Sequence, residues 1–190
     1  MSARSLTPDD TILGLLAAEA RHGYHLLDCF RDPAQLGDVW ALGVSQVYAV
    51  LKRLEQQALI AGQTVVPADA PPRTEYALTA AGAQRLDRWL HTEQPGASVR
   101  AVRVEFLSRL YIARLLNIPT QPIVRRQRAA CQQQLAELVA LRSRAEPGVS
   151  LLARELLIAQ TEAILRWLDR CEMPAPEDVE PFTDQGEHLP

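Results

Sequence analysis

The chain has 190 residues, of which 47% are hydrophobic and 23% charged, and a formal net charge of −3. That balance supports a buried core and excludes general disorder, and the length fits one domain or a small domain with a helical extension. No stretch approaches the roughly 20 uncharged apolar residues of a membrane helix, and Met1 to Asp10 lacks the apolar centre of a signal peptide, so a cytoplasmic protein is expected.

Cys29, Cys131 and Cys171 are odd in number, widely spaced and without a C-x-x-C pair. They read as reduced thiols, with a thiol redox switch as the alternative. Charge is unevenly distributed: −2 over 1–92, +5 over 93–171 and −6 over 172–190, with Lys52 the one lysine.

In chain order, Thr7 is expected to cap a first helix, with Pro8 in its first position and Asp9 and Asp10 in its first turn. Ile12, Leu13, Leu15 and Leu16 supply its buried side. Gly23 is expected to end it in a left-handed conformation. A short second helix follows from about Tyr24 to Arg31, closed by Pro33. Val39-Trp40-Ala41 reads as a short strand. Ser45 is expected to cap a third helix running through Gln57. Its stripe is Val47, Leu51 and Leu54, widened by Val44, Tyr48 and Leu59. Its opposite side presents Gln46, Ala49, Lys52, Arg53 and Gln56.

Period-two segments 64–66 and 74–78 read as two strands joined by the proline-rich loop 67–73. Thr79 caps a fourth helix containing Leu86, Trp89 and Leu90. Residues 91–98 form a linker. Three further helices are expected at 99–116, 122–145 and 150–171, and the acidic, proline-containing 172–190 reads as a flexible tail.

This order is that of a winged helix-turn-helix. Two helices scaffold a third that enters the major groove, and the hairpin loop becomes a wing beside it. On that reading Lys52 and Arg53 meet phosphates, Ser45 and Gln46 meet bases or backbone, and Arg73 serves the wing. The third helix also exposes Ala49, and Tyr48 either packs its ring or offers its hydroxyl to a phosphate.

Several segments carry a resemblance. They are Ile12-Leu13-Gly14-Leu15-Leu16, His22-Gly23-Tyr24, Ser45-Gln46-Val47-Tyr48, Leu51-Lys52-Arg53-Leu54-Glu55, Leu59-Ile60, Pro71-Pro72-Arg73 before Tyr76, and Leu78-Thr79-Ala80-Ala81-Gly82. In this order, residues 1–92 resemble PadR-type transcriptional regulators. The resemblance implies a mostly α protein: a winged helix-turn-helix domain at 1–92, a helical dimerisation domain at 99–171 and the tail at 172–190. It also implies a homodimeric regulator, usually a repressor, of a pseudo-palindromic site on double-stranded DNA. Some members of the family answer to small aromatic or hydrophobic effectors. The chain departs from the family pattern at Ala49, where proline is common, and at Ala58, where glycine is common. A left-handed Ala58 would cost roughly 1 kcal/mol.

Other constellations are weaker. His22, His25 and Cys29 lack a second cluster at zinc spacing, so no metal or cofactor is expected. Trp40, Trp89 and Trp167 read as packing residues first and effector contacts second. Arg125-Arg126-Gln127-Arg128 reads either as a nucleic-acid patch or, because it sits at a helix start where the dipole disfavours cations, as a partner for acidic groups. There is no G-x-S-x-G, phosphate-binding glycine loop or H-E-x-x-H, so an enzyme is not expected. A winged helix turned protein-interaction module is the main alternative, because residues 1–92 are acidic overall.

Overall fold

The computed structural model describes residues 6–66, 72–144 and 146–171. The elements are α1 (Asp9–Ala18), β1 (Arg21–His22), α2 (Gly23–Cys29), α3 (Val44–Gln56), β2 (Ile60–Val65), β3 (Arg73–Leu78) and α4 (Ala80–Leu90). A helical segment follows, made of α5 (Val99–Ala101), a π-helical turn (Val102–Phe106) and α6 (Leu107–Leu115), and then α7 (Gln121–Arg142) and α8 (Val149–Cys171). This is the expected mostly α architecture, a winged helix followed by helices. The loop 67–71 and the tail 172–190 lie outside the described residues.

The small sheet has the order β1-β3-β2, antiparallel throughout. Its register pairs Ile60 with Leu78 and Val65 with Arg73 on one side of β3, and Arg21 with Tyr76 on the other. The third strand is therefore β1, not the expected Val39-Trp40-Ala41. That segment is held in a turn, where the Val39 and Trp40 N–H groups donate to the Leu36 carbonyl at 3.0 and 2.9 Å. Its indole leaves the turn and donates to Ser108 Oγ at 2.8 Å. Ser108 Oγ in turn donates to the Val104 carbonyl inside the π-helical turn at 2.7 Å.

Helix starts differ from expectation by one or two residues. The cap of α1 is Pro8, not Thr7, and no side chain caps this helix. The cap of α3 is Gly43, not Ser45, because the Gln46 side chain reaches back to accept the Gly43 N–H at 2.8 Å, half of a capping box. Thr79 caps α4 as expected, accepting the Gly82 N–H at 3.1 Å. Ala58 is left-handed, φ 54°, as the departure from glycine suggested. Its carbonyl accepts the Thr79 hydroxyl at 2.8 Å, so one threonine fastens both the α3–β2 turn and the start of α4. Gly23 is not left-handed; it opens α2 with His22 as cap.

One apolar core joins the two ends of the chain. Ile12, Leu13 and Leu15 of α1, Leu26 and Leu27 of α2, Leu51 and Leu54 of α3, Phe106 and Ile112, and Leu168 of α8 are all fully buried within it. Helix α1 packs closely on α6: a Cβ on Gly14 would sit 2.4 Å from Ile112 Cγ2. Phe106 meets Trp167 edge to face at 5.9 Å, tying α8 to the same core. Residues 91–98 are not a free linker, since Pro95 is buried and Gln127 Nε2 donates to the Gly96 carbonyl at 2.9 Å.

Candidate nucleic-acid interface

The inner face of α3 is Val47, Val50, Leu51 and Leu54, all buried. Val44 and Tyr48, expected in that stripe, are instead 38% and 42% exposed, and Val50 takes the inner place. The outer face presents Ser45, Gln46, Tyr48, Ala49, Lys52, Glu55 and Gln56, all exposed. Ser45, Ala49, Lys52 and Gln56 follow one another at spacings of four, three and four, so they form a single line down the helix.

Tyr48 is set by α2. Its ring lies so close to Gly23 that a Cβ there would be 2.8 Å from Cζ and 2.9 Å from Oη. The sequence therefore needs glycine at 23 for close approach rather than for a left-handed turn. This contact leaves the Tyr48 edge at the surface beside the start of α2, where Tyr24 is 56% exposed and His25 also faces solvent. Neither Tyr24 nor His25 was expected in the surface; the His22-Gly23-Tyr24 segment was the available signal. His22 and His25 stack at 4.0 Å. Burial, the neighbouring His25 and the Arg73 cation together hold the His22 pKa below its usual value.

Arg53 has a different environment from Lys52. Its Nε and Nη2 donate to the two oxygens of Asp9 at 2.9 and 2.6 Å. Burial alone would raise the Asp9 pKa, but bonds from Arg53 and Thr7 and the charge of Arg53 outweigh it and hold the carboxyl low. The pair joins α3 to the first turn of α1. Asp10, the next residue, accepts Arg85 Nε of α4 at 2.7 Å. The two first-turn acids therefore grip the helices on either side of the hairpin. Among the described residues, neither Lys52 nor Arg73 forms an ion pair within 4.0 Å.

Arg73 is exposed and opens β3 opposite Val65. It is thus a strand residue, and the rest of the loop it was grouped with lies outside the described residues. Glu55 closes the other end of the α3 surface: its Oε1 accepts the Gly62 N–H of β2 at 3.1 Å. The seven expected residues do not gather at one point. Ser45, Ala49 and Lys52 share the α3 line, Tyr48 borders it toward α2, Gln46 is engaged in the cap, Arg53 in the ion pair, and Arg73 stands on the sheet.

Two clefts open on the structure, and the second of them adjoins this face. One of 490 Å³ is lined by Trp40, Trp89, Asp10, Arg85, Arg88 and Glu105 among others. The second, of 460 Å³, lies between the edge of α3 at Gln46, Ala49 and Arg53 and the arginines Arg100 of α5 and Arg103 of the π-helical turn. Behind the first, Arg109 is fully buried, bonded to Glu105 at 2.8 Å and 5.3 Å from the Trp89 ring centroid. Burial raises the thiol pKa of Cys29 against the opposing Arg21 cation, and likewise that of Cys131, so neither is poised as a thiolate. Among the described residues no group of His, Cys, Asp and Glu is placed to hold a metal, and no helix is long and apolar enough to cross a membrane.

Residues 12–88 match the model of the transcriptional regulator PadR-like family, and residues 102–173 match that of the virulence activator alpha C-terminal region. Over residues 12–88 the chain is similar to the PadR-like family. The negative transcriptional regulator PadR of Bacillus subtilis (strain 168) is 32% identical over 106 residues, 56% of this chain and 56% of that protein. Among solved structures, Bacillus subtilis PadR in complex with operator DNA is 24% identical, covering 89% of this chain and 98% of that one at a TM-score of 0.46. A PadR family transcription regulator from Clostridium difficile R20291 is 25% identical, covering 42% and 78% at a TM-score of 0.37. Helix α3 lies within the matched residues 12–88.

Proposed function

We propose that the chain is a sequence-specific, DNA-binding transcriptional regulator, acting as a dimer to repress its target, and not an enzyme. The observation that carries the reading is the two-sided α3: one side fully buried, the other an exposed line of Ser45, Ala49 and Lys52 flanked by Tyr48. A helix of that form, with small and polar side chains outward, fits a major groove. Residues 1–92 serve as the DNA-binding domain. Lys52 and Arg73 neutralise phosphates, Ser45 and Gln46 read base edges or backbone, and Ala49 allows close approach. Gln46 reads DNA by exchanging its bond to Gly43 for one to a base. Arg53 acts by fixing the pose of α3 through Asp9. The relative from Bacillus subtilis, itself a negative regulator by name, supports the repressor assignment.

Residues 99–171 serve as the dimerisation domain. On α8 Val149, Leu152, Leu156 and Leu157 are 82, 64, 59 and 42% exposed, and on α7 Val139 and Leu141 are exposed with them. Val149, Leu152 and Leu156 repeat at three and four residues, the spacing of a helix-packing seam. A two-fold dimer through this seam presents two α3 helices to a pseudo-palindromic site in the cytoplasm. The cleft lined by Trp40 and Trp89 lies between α1, α4 and the π-helical turn, where a small aromatic or hydrophobic effector would alter the seating of the winged helix.

The test is fluorescence anisotropy on the DNA upstream of the protein's own reading frame, against a scrambled duplex, with salt varied. Tight, salt-sensitive preference for the upstream duplex supports the reading. Weak and equal binding to both, insensitive to salt, supports the protein-interaction module instead.

A further inference from the structure

A second basic surface lies away from α3. Arg125 and Arg128 are three apart at the start of α7, and Arg166 and Arg170 are four apart at the end of α8. The two helices pack side by side, and Arg128 Nη1 donates to Asp169 Oδ1 at 2.5 Å, which brings those two ends together. Arg125, Arg166 and Arg170 are exposed. The first ten residues of α7 contain no acid, and Asp169 is the one acid in the last six residues of α8, so the patch is strongly positive.

The chain leaves α8 at Cys171, two residues beyond Asp169. Residues 172–190 then carry six acids, Glu172, Glu177, Asp178, Glu180, Asp184 and Glu187, and no Lys or Arg. We propose that this segment docks, within the same subunit, across the patch formed by Arg125, Arg128, Arg166 and Arg170. Three arguments favour it as the occupant over DNA or a second protein. The charges are complementary. The attachment point adjoins the patch, so the effective concentration is in the millimolar range. Ten residues reach at most about 33 Å, well beyond the two helical turns of about 11 Å that the patch occupies.

Each exposed ion pair contributes little alone, so docking depends on several pairs at once and is released by salt as the screening length falls below about 10 Å. The consequence is that the tail screens these arginines from DNA phosphates, leaving α3 and Arg73 to set the orientation on the duplex. The docking itself does not depend on the DNA-binding reading.

The test is an NMR measurement on the full chain. Tail amide resonances at Glu177, Asp178 and Glu180 are recorded at ~25 and ~500 mM salt, conditions on either side of effective screening. Docking predicts clear shift differences between the two, and it predicts that Arg125→Gln/Arg166→Gln/Arg170→Gln gives the high-salt positions even at low salt. A second variant, Glu177→Gln/Asp178→Asn/Glu180→Gln, leaves the folded elements untouched and should move the side-chain Nε–H resonances of Arg125, Arg166 and Arg170. Tail resonances indifferent to salt and to the arginines, or arginine resonances indifferent to the tail, overturn the proposal. A triple arginine variant that loses DNA affinity several-fold while the tail resonances stay fixed also overturns it, by assigning the patch to DNA.

Discussion

Tyr48 of α3 rests on the backbone of Gly23 so closely that any side chain at 23 must displace the ring, since a Cβ would lie 2.8 Å from Cζ. This contact fixes the outer face of α3 against the start of α2. It expresses a general feature of the fold: the exposed surface of α3 is positioned by contacts that the same helix makes with its neighbours.

Gly23→Ala tests that relationship. The ring cannot stay where it is, and overpacking of this kind costs about 1–3 kcal/mol, or about 3–10 °C in melting temperature for a chain of this size. Thermal unfolding measures the loss. Binding to the upstream duplex should weaken as well, because Tyr48 and the adjoining line move together. A melting temperature equal to the parent's would mean that the ring has room to shift.

The Asp9–Arg53 pair makes stability depend on pH in a defined direction. The folded Asp9 pKa lies below the unfolded value, so the stabilisation is present above the unfolded pKa of about 4 and is lost as pH falls through the lower folded value. Asp9→Asn should therefore cost stability near pH 7 and make the acid limb of the stability curve shallower. The Asp9 side chain is 5% exposed but that of Arg53 is 42% exposed, so the loss is about 1–2 kcal/mol, below the 3–5 of a fully buried pair. Melting curves between pH 3 and pH 7 read both effects.

Much of this was legible in the sequence, for reasons that can be named. The spacing of Val47, Leu51 and Leu54 marks α3, and Thr79 marks the start of α4, because both signals are local. Ala58 announced its left-handed turn by standing where glycine is common. What failed was non-local. The two-residue β1 has no period of its own and exists only as the partner of β3. Trp40 looked like strand because its neighbours are apolar, but its indole is claimed by Ser108, 68 residues away. Arg53 looked like Lys52 until Asp9, 44 residues away, engaged it. Tyr48 looked like part of the apolar stripe because it sits four positions from Val44 and three from Leu51, and the close Gly23 backbone holds it at the surface. The π-helical turn shifts the register by one residue without altering the apolar character of the segment, so no period revealed it.

Lys52→Ala and Arg73→Ala should each weaken binding about equally on all duplexes if they meet phosphates. Each should lower the slope of log K against log salt by about 0.9, the value for one released counterion. Anisotropy titrations at three or more salt concentrations give the slopes. An unchanged slope for either variant removes that residue from the phosphate-contacting set.

The most direct measurement of the central reading is the affinity of Ala49→Glu for the upstream duplex. Ala49 is exposed in the middle of the α3 line, and glutamate is a good helix former, so the fold and melting temperature should be retained. A carboxylate at that point faces the groove and its phosphates, and binding should fall at least 100-fold. A well-folded Ala49→Glu that binds like the parent would contradict the assignment of this face to DNA.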